Sequence, residues 1–429
     1  MGIYIHRLTL LIMKLHKQSV LHDKPKHWKI FPLKEVGTIV TGTTPKTSVT
    51  EYYGGEHLFV TPGDLNENRI VNNSETKLTD SGYQQTRPIP PNSVLFTSIG
   101  STIGKTSIAG CELATNQQIN AVITNENFNH DFLYNTLLFY KNYIKKLSGT
   151  QAVPILNKSS FENLRLPYPP LQEQIKIASI LNLWDTVVSN IQELIQAKKR
   201  YNKGLMQQLL TGKKRFPENV KSESTFETRF GNYPKDWRYV RIGEFAKEMK
   251  VKNGEDDAGF TVLSCTKYDG LVDSLEYFDR QVFSDDLSGY KVVRKGYFAY
   301  ATNHIEEGSI GYNDWCDKGL ISPMYTVFQT DNEVVNDRYL FGLFKTEKYR
   351  HIFEVNTNGT VNRRGSLRWK EFSKIKVPLP PIEEQNRIAK LFDSIDNEVS
   401  LLKKELSAFK NQKKGLMQQL LTGKVRVNI

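Results

Sequence analysis

Apolar side chains in the middle of the chain recur at steps of four and three: Ile177, Leu181, Trp184, Val188, Ile191 and Ile195, then Leu205 and Leu209. That is the seam spacing by which one helix packs on another. The seam returns 211 residues later at Ile388, Phe392, Ile395, Val399, Leu402 and Leu406, then Phe409, Leu416 and Leu420. Lys198 and Asn202 interrupt the first copy, and Lys413 interrupts the second. Pro169–Pro170 and Pro380–Pro381 stand before the two seams, where proline fits a first helical turn but no helix interior. Glu173 and Glu384 fall in those first turns, where negative charge suits the helix dipole. Gly212 and Gly423 follow the last seam residues as helix ends, with Lys213 and Lys424 beside them. A helix from 171 to 211 is about 60 Å long. Alone it would expose its whole seam to water, so the two helices are expected to pack on each other, antiparallel.

The repeat extends beyond the seam. Lys203–Lys213 and Lys414–Lys424 are the same eleven residues, KGLMQQLLTGK. LPYPPLQEQ at 166–174 returns as VPLPPIEEQ at 377–385 with the same offset. The intervening stretches repeat faintly: His27-Trp28-Lys29-Ile30 resembles Asp236-Trp237-Arg238-Tyr239, and Phe161 matches Phe372. Between turn residues lie short strand-like runs, Ser93–Ser98, Ala121–Thr124, Thr261–Ser264 and Met324–Phe328, with helical patterns near Asn129–Leu147 and Asp337–Phe353. The expected fold is mixed α/β: two globular domains separated by two long antiparallel coiled-coil helices, in a pseudo-two-fold repeat. The boundaries read as an N-terminal arm at 1–23, a domain at 24–166, a central helical region at 167–213, a charged and Ser-rich linker at 214–235, a second domain at 236–377 and a C-terminal helical region at 378–429.

A chain of 429 residues is long enough for two or three domains. Its formal charge of +12 makes a polyanion a reasonable partner. The excess sits mostly in the two helical regions, so nucleic-acid contact in the globular domains has to come from local patches. Three scattered cysteines and eight scattered histidines offer no disulfide framework and no metal spacing, which fits a reducing cytosol. The apolar stretch Leu8–Met13 is too short for a transmembrane span and lacks a signal-peptide cleavage site. Gly100–Thr106 resembles a phosphate-binding loop but has three residues between its glycines where four are needed. It reads as a tight surface turn, or one that aims backbone amides and Lys105 at a phosphate. Tyr168-Pro169-Pro170 lacks the Asn of an amino-methyltransferase motif, and no carboxylate pair with a lysine has the pattern of a nuclease. No catalytic residue, cofactor or metal is therefore expected.

The pattern Pro-x-Pro-Pro-[Leu/Ile]-x-Glu-Gln-x-x-Ile-Ala, at 167–178 and again at 378–389, resembles the helical regions of Type I restriction–modification specificity subunits. So do the Trp that opens each domain and the run Ala114-Thr115-Asn116-Gln117, which has no counterpart in the second domain. The resemblance implies a non-catalytic reader of double-stranded DNA in the cytoplasm. Each domain would contact the major groove of one half-site, and the coiled coil would set their spacing at roughly one helical repeat, about 10 bp. It also implies docking of two methyltransferase subunits and of ATP-consuming restriction subunits.

Base readout needs polar side chains on loops, while phosphate contacts position the domain. In the first domain the candidates are Thr43, Thr44, Lys46 and Tyr52, then Ser101, Thr102 and Lys105, then Gln151. In the second they are Lys267 and Asn303, with Asn358, Asn362, Arg363, Arg364 and Arg368 in the loop Asn356–Arg368, which contains two glycines. A two-domain protein–protein scaffold without DNA binding is the alternative reading; it predicts salt-insensitive behaviour and no affinity for DNA.

Overall fold

The computed structural model describes residues 24–65, 69–148, 154–254, 260–357 and 365–428. The chain forms two compact units. One takes in Met1–Leu194 with Leu402–Ile429, and the other Ile195–Leu401. Each unit thus owns the start of one long helix and the end of the other.

In the first unit a five-stranded sheet runs in the order Gly37–Thr41, Ile119–Thr124, Val94–Thr97, Thr106–Ala109, Ile70–Val71. All its pairings are antiparallel except the last. A three-stranded sheet of Thr76–Leu78, Tyr53–Val60 and Ala114–Thr115 lies beside it in the chain's order of strands. The helix His130–Leu147 covers the core with Phe132, Leu133, Leu137 and Ile144, all fully buried. It starts where the pattern places it, because the Asn129 side chain accepts a hydrogen bond from the Phe132 amide at 2.9 Å.

The second unit has two four-stranded sheets. One orders Ala246–Met249, Tyr325–Thr330, Tyr297–Ala301 and Ile310–Tyr312, and the other Gly270–Asp273, Thr261–Thr266, Lys318–Ile321 and Lys291–Arg294. The helical pattern at Asp337–Phe353 is two helices, Asp337–Phe344 and Glu347–Asn356. Thr346 caps the second by accepting from the Tyr349 amide, which forces the break. The segment 214–235, read as a linker, carries a hairpin of Thr225–Thr228 and Gly231–Pro234 whose Tyr233 is buried.

The repeat is most literal where each long helix begins and ends. A strand from the start of each domain pairs antiparallel with the strand before the prolines: Lys29–Pro32 with Arg165–Tyr168, and Arg238–Arg241 with Lys376–Leu379. The helices Leu171–Leu210 and Ile382–Leu420 follow. Glu173 is buried in the first unit, where Arg426 holds it at 2.9 Å and His27 at 3.3 Å. Its counterpart Glu384 is buried in the second, held by Arg215 at 2.8 Å and by the Trp237 indole N–H at 3.2 Å. The next residue, Gln174 or Gln385, caps a neighbour: its carbonyl accepts from the Asn129 or Asn336 amide at 2.9 Å. Its amide donates to Pro169 or Pro380, at 2.9 and 2.8 Å. The Glu-Gln pair is thus a joint between the helix start and the domain, and the dipole is a lesser part of its role.

Both helix ends close on left-handed glycines, Gly212 and Gly423, each at φ 70°. A Cβ there would stand 2.5 Å from Pro234 or 2.4 Å from Pro25. Only glycine allows the turn to nest against Pro-x-x-Trp in each unit. Along the seam, Ile177, Leu181, Ile388 and Phe392 are buried in the domain cores. Further along, the helices meet each other: Trp184 packs on Phe409 at 5.7 Å and Asp185 pairs with Lys413 in the first unit. Lys198 pairs with Glu398 at 2.6 Å in the second. Within the first unit Ile177 and Leu181 share a core with Leu420 and Leu421, while Trp184 further along meets the earlier Phe409, so the helices run antiparallel. Ile195 and Ile395 are buried, whereas Val188, Ile191, Val399, Leu402 and Leu406 are half-buried.

Candidate nucleic-acid interface

In the first unit the strand register brings several loops to one edge of the five-stranded sheet. Thr41 pairs with Asn120 and Thr97 with Ile119, so the chain leaves or enters the sheet at the same end at each position. The loop after Thr41 carries Thr43, Thr44 and Lys46. It folds onto the Ala114–Gln118 run: the Thr43 amide donates to Thr115 at 2.9 Å and the Thr44 hydroxyl to Gln117 at 2.5 Å. Gly42 permits that approach, since a Cβ there would lie 2.3 Å from the Thr115 and Asn116 carbonyls. Gln117 and Arg87, whose guanidinium donates to the Thr41 carbonyl at 3.0 Å, are exposed at this edge and were not among the sequence candidates as base readers. The Ala-Thr-Asn-Gln run was the available signal for Gln117; nothing in the local sequence points to Arg87.

Ser101 is exposed and Thr102 half-buried in the turn that joins Val94–Thr97 to Thr106–Ala109. The turn is not a phosphate cradle. The amides of Ile103, Gly104 and Lys105 donate to Gly100, Thr97 and Thr102, and the Lys105 ammonium donates to the Pro62 carbonyl at 2.9 Å. Lys105 therefore braces the turn. Tyr52 is half-buried in the turn Thr50–Tyr52, and Lys46 is exposed. Gln151 lies outside the described residues.

In the second unit three turns gather likewise. The turn between Thr261–Thr266 and Gly270–Asp273 exposes Lys267 and Tyr268, the latter 79% exposed. The turn between Tyr297–Ala301 and Ile310–Tyr312 carries Asn303, half-buried. Thr302 joins it to the segment before Tyr325–Thr330 through the Met324 carbonyl at 3.2 Å. The Leu367 amide donates to Thr302 at 2.7 Å, which brings exposed Arg368 to the same edge. This matches the first unit, where the Leu156 amide donates to Ser98 at 2.9 Å. Met324, 64% exposed, is an apolar group on this edge, and its lack of a polar atom leaves no signal for it in the sequence. Asn358, Asn362, Arg363 and Arg364 lie outside the described residues. His304 and Glu307, 3.2 Å apart, add a carboxylate beside Asn303.

Residues 25–199 and 234–411 match the family described as the Type I restriction modification DNA specificity domain. The chain is 24% identical to the MjaVIII specificity subunit of a Type I restriction enzyme from Methanocaldococcus jannaschii, over 97% of this chain and 99% of that one. It is 30% identical over 173 residues to the HindI specificity subunit from Haemophilus influenzae, covering 39% of this chain and 37% of that one. Among solved structures it resembles the S subunit of a Type I restriction–modification system from M. genitalium, with a TM-score of 0.55 at 15% identity, covering 94% of this chain and 96% of that one.

Proposed function

This chain belongs to the Type I restriction–modification DNA-specificity family, and we propose that each of its units reads one half of a bipartite DNA site. It acts as a DNA-recognition component without catalysis of its own, in complex with other subunits. In finer detail, two methyltransferase subunits dock on it, restriction subunits join them in the cytoplasm, and the paired helices measure the spacer between half-sites. The observation that carries the reading is the repeated architecture of the edge. In each unit, strand ends and the segment before the prolines deliver polar loop residues to one side of a rigid sheet, and the Glu-Gln joint ties that unit to its helix.

In the first unit the reading surface comprises Thr43, Thr44, Lys46, Tyr52, Ser101, Thr102 and Gln151, to which we add Arg87 and Gln117. In the second it comprises Lys267, Asn303 and Arg368 with Asn358, Asn362, Arg363 and Arg364. Long polar side chains on these loops suit base edges, and the cations suit phosphates. The test is an exchange of 24–165 for the corresponding segment of a relative, read by methylome sequencing of cells that also carry the methyltransferase. One half of the methylated motif should change while the other half and the spacer stay fixed. A change in both halves would show that the units are not independent readers.

A further inference from the structure

One lysine in the second unit does not face the candidate surface at all. Lys345 closes the helix Asp337–Phe344, and its ammonium donates to three backbone carbonyls: Gly308 at 2.8 Å, Lys267 at 3.1 Å and Thr266 at 3.3 Å. An ammonium has three N–H donors. All three are taken, so none remains for a phosphate. The acceptors come from two different turns, Thr266–Gly270 and the connection from Thr302 to Ser309. Burial pushes the Lys345 ammonium down to about 8, still mostly charged at neutral pH. Keeping a charged lysine buried against neutral carbonyls costs stability that an apolar side chain would not.

The surroundings reinforce the join. Gly308 is left-handed at φ 100°, and a Cβ on it would lie 3.3 Å from the Lys267 carbonyl, so the two turns meet backbone to side. The Arg350 guanidinium, from the next helix, donates to the Glu306 carbonyl at 3.3 Å and pairs with Glu347 at 2.9 Å. Below the first turn, the Phe341 ring sits 3.1 Å from where a Cβ on Gly270 would be. The two turns thus rest on the junction of two helices, and Lys345 is the group that touches both.

We propose that Lys345 is a positioning residue: it staples the two turns together so that Lys267, Tyr268 and Asn303 meet DNA as one preset surface. The proposal rests on the reading of these turns as DNA-facing. Loops that arrive ordered lose less freedom on binding, and misplaced contacts lose discrimination before they lose affinity for phosphate.

The experiment uses the full-length chain with Lys345→Met, which keeps the stem and removes the donors. Amide hydrogen exchange should rise about tenfold at 267–270 and 304–309 while the strands Thr261–Thr266 and Tyr297–Ala301 keep their protection. In cells with the methyltransferase, methylation of sites with a single mismatch in one half of the motif should rise about tenfold relative to intact sites, with the other half and the spacer unchanged. Unchanged exchange at both turns would overturn the staple. Looser turns with an unaltered motif would overturn its role in recognition. Lys267→Ala and Asn303→Ala separate the causes: if they too leave the motif intact, it is the DNA-facing reading of the turns that fails. Should Lys345→Met not fold, Arg350→Met carries the test, with raised exchange expected at 304–309 alone.

Discussion

Asp337 opens the helix Asp337–Phe344 and is 8% exposed, accepting a hydrogen bond from the Thr330 hydroxyl. Burial raises its carboxyl to about 6, against the opposing hydrogen bonds from Thr330 and Asn332. A carboxyl raised by folding contributes its stability below its unfolded value, near 4, and loses it as pH climbs through 6. At pH 7 the cost is about 2–3 kcal/mol. Asp337→Asn keeps an acceptor for Thr330 and removes the charge, although it gives up a favourable dipole contact of about 0.3–1 kcal/mol. Its melting temperature should exceed the wild type's by a few degrees at pH 7 and match it at pH 4; equal melting curves at both pH values would refute the buried-charge account. Single residues were the scale least legible in the sequence. Glu173 and Glu384 announced their helix turns, but their burial against Arg426 and Arg215 depends on partners far away in the chain. Lys105 reads as a cation aimed at a phosphate, and only the fold reveals that its ammonium donates to the Pro62 carbonyl; nothing local singles out Lys345, whose three acceptors come from distant turns.

At the scale of elements the sequence was far more informative, because periodicity and proline punctuation are local. The long helices, the strands at Val94–Thr97 and Thr261–Thr266 and the helix after Asn129 all stand where pattern places them. The seam was legible as a stripe, yet not what covers it. Its first turns belong to the domain cores, so Phe392 packs beside Gly342, where a Cβ would come within 2.8 Å of its ring. The break at Lys345–Thr346 was hidden because apolar spacing runs on through it. Ile395, 8% exposed, and Leu401, 64% exposed, lie on the same helix and discriminate the seam from its outer face. Ile395→Asp places a charge among apolar partners and should cost about 3 kcal/mol or more in denaturant unfolding. Leu401→Asp should change stability by about 0.5 kcal/mol at most. Equal losses would mean that the seam is misassigned.

For the whole molecule, the two-unit plan followed from an identity of eleven residues at a fixed offset, whereas the loops that differ between the halves carried no repeat to guide them. The sameness of the helices and the difference of the domains divide the labour: shared residues hold, diverged residues read. Lengthening a helix near Gln207–Lys213 should therefore change the spacer of the methylated motif and leave both half-sites intact, because no loop is altered. Altered half-sites with an unchanged spacer would contradict that division.

The joint at Gly423 also sets an order in time. Leu420, Leu421 and Arg426 complete a core and an ion pair whose other members, Trp28, Leu166 and Glu173, are made hundreds of residues earlier. A ribosome working from the amino end finishes the second unit's last residue, Leu401, before it has made these. The domain that is begun first is thus sealed after the second is made, and until Leu420, Leu421 and Arg426 emerge its core stays open where they will lie.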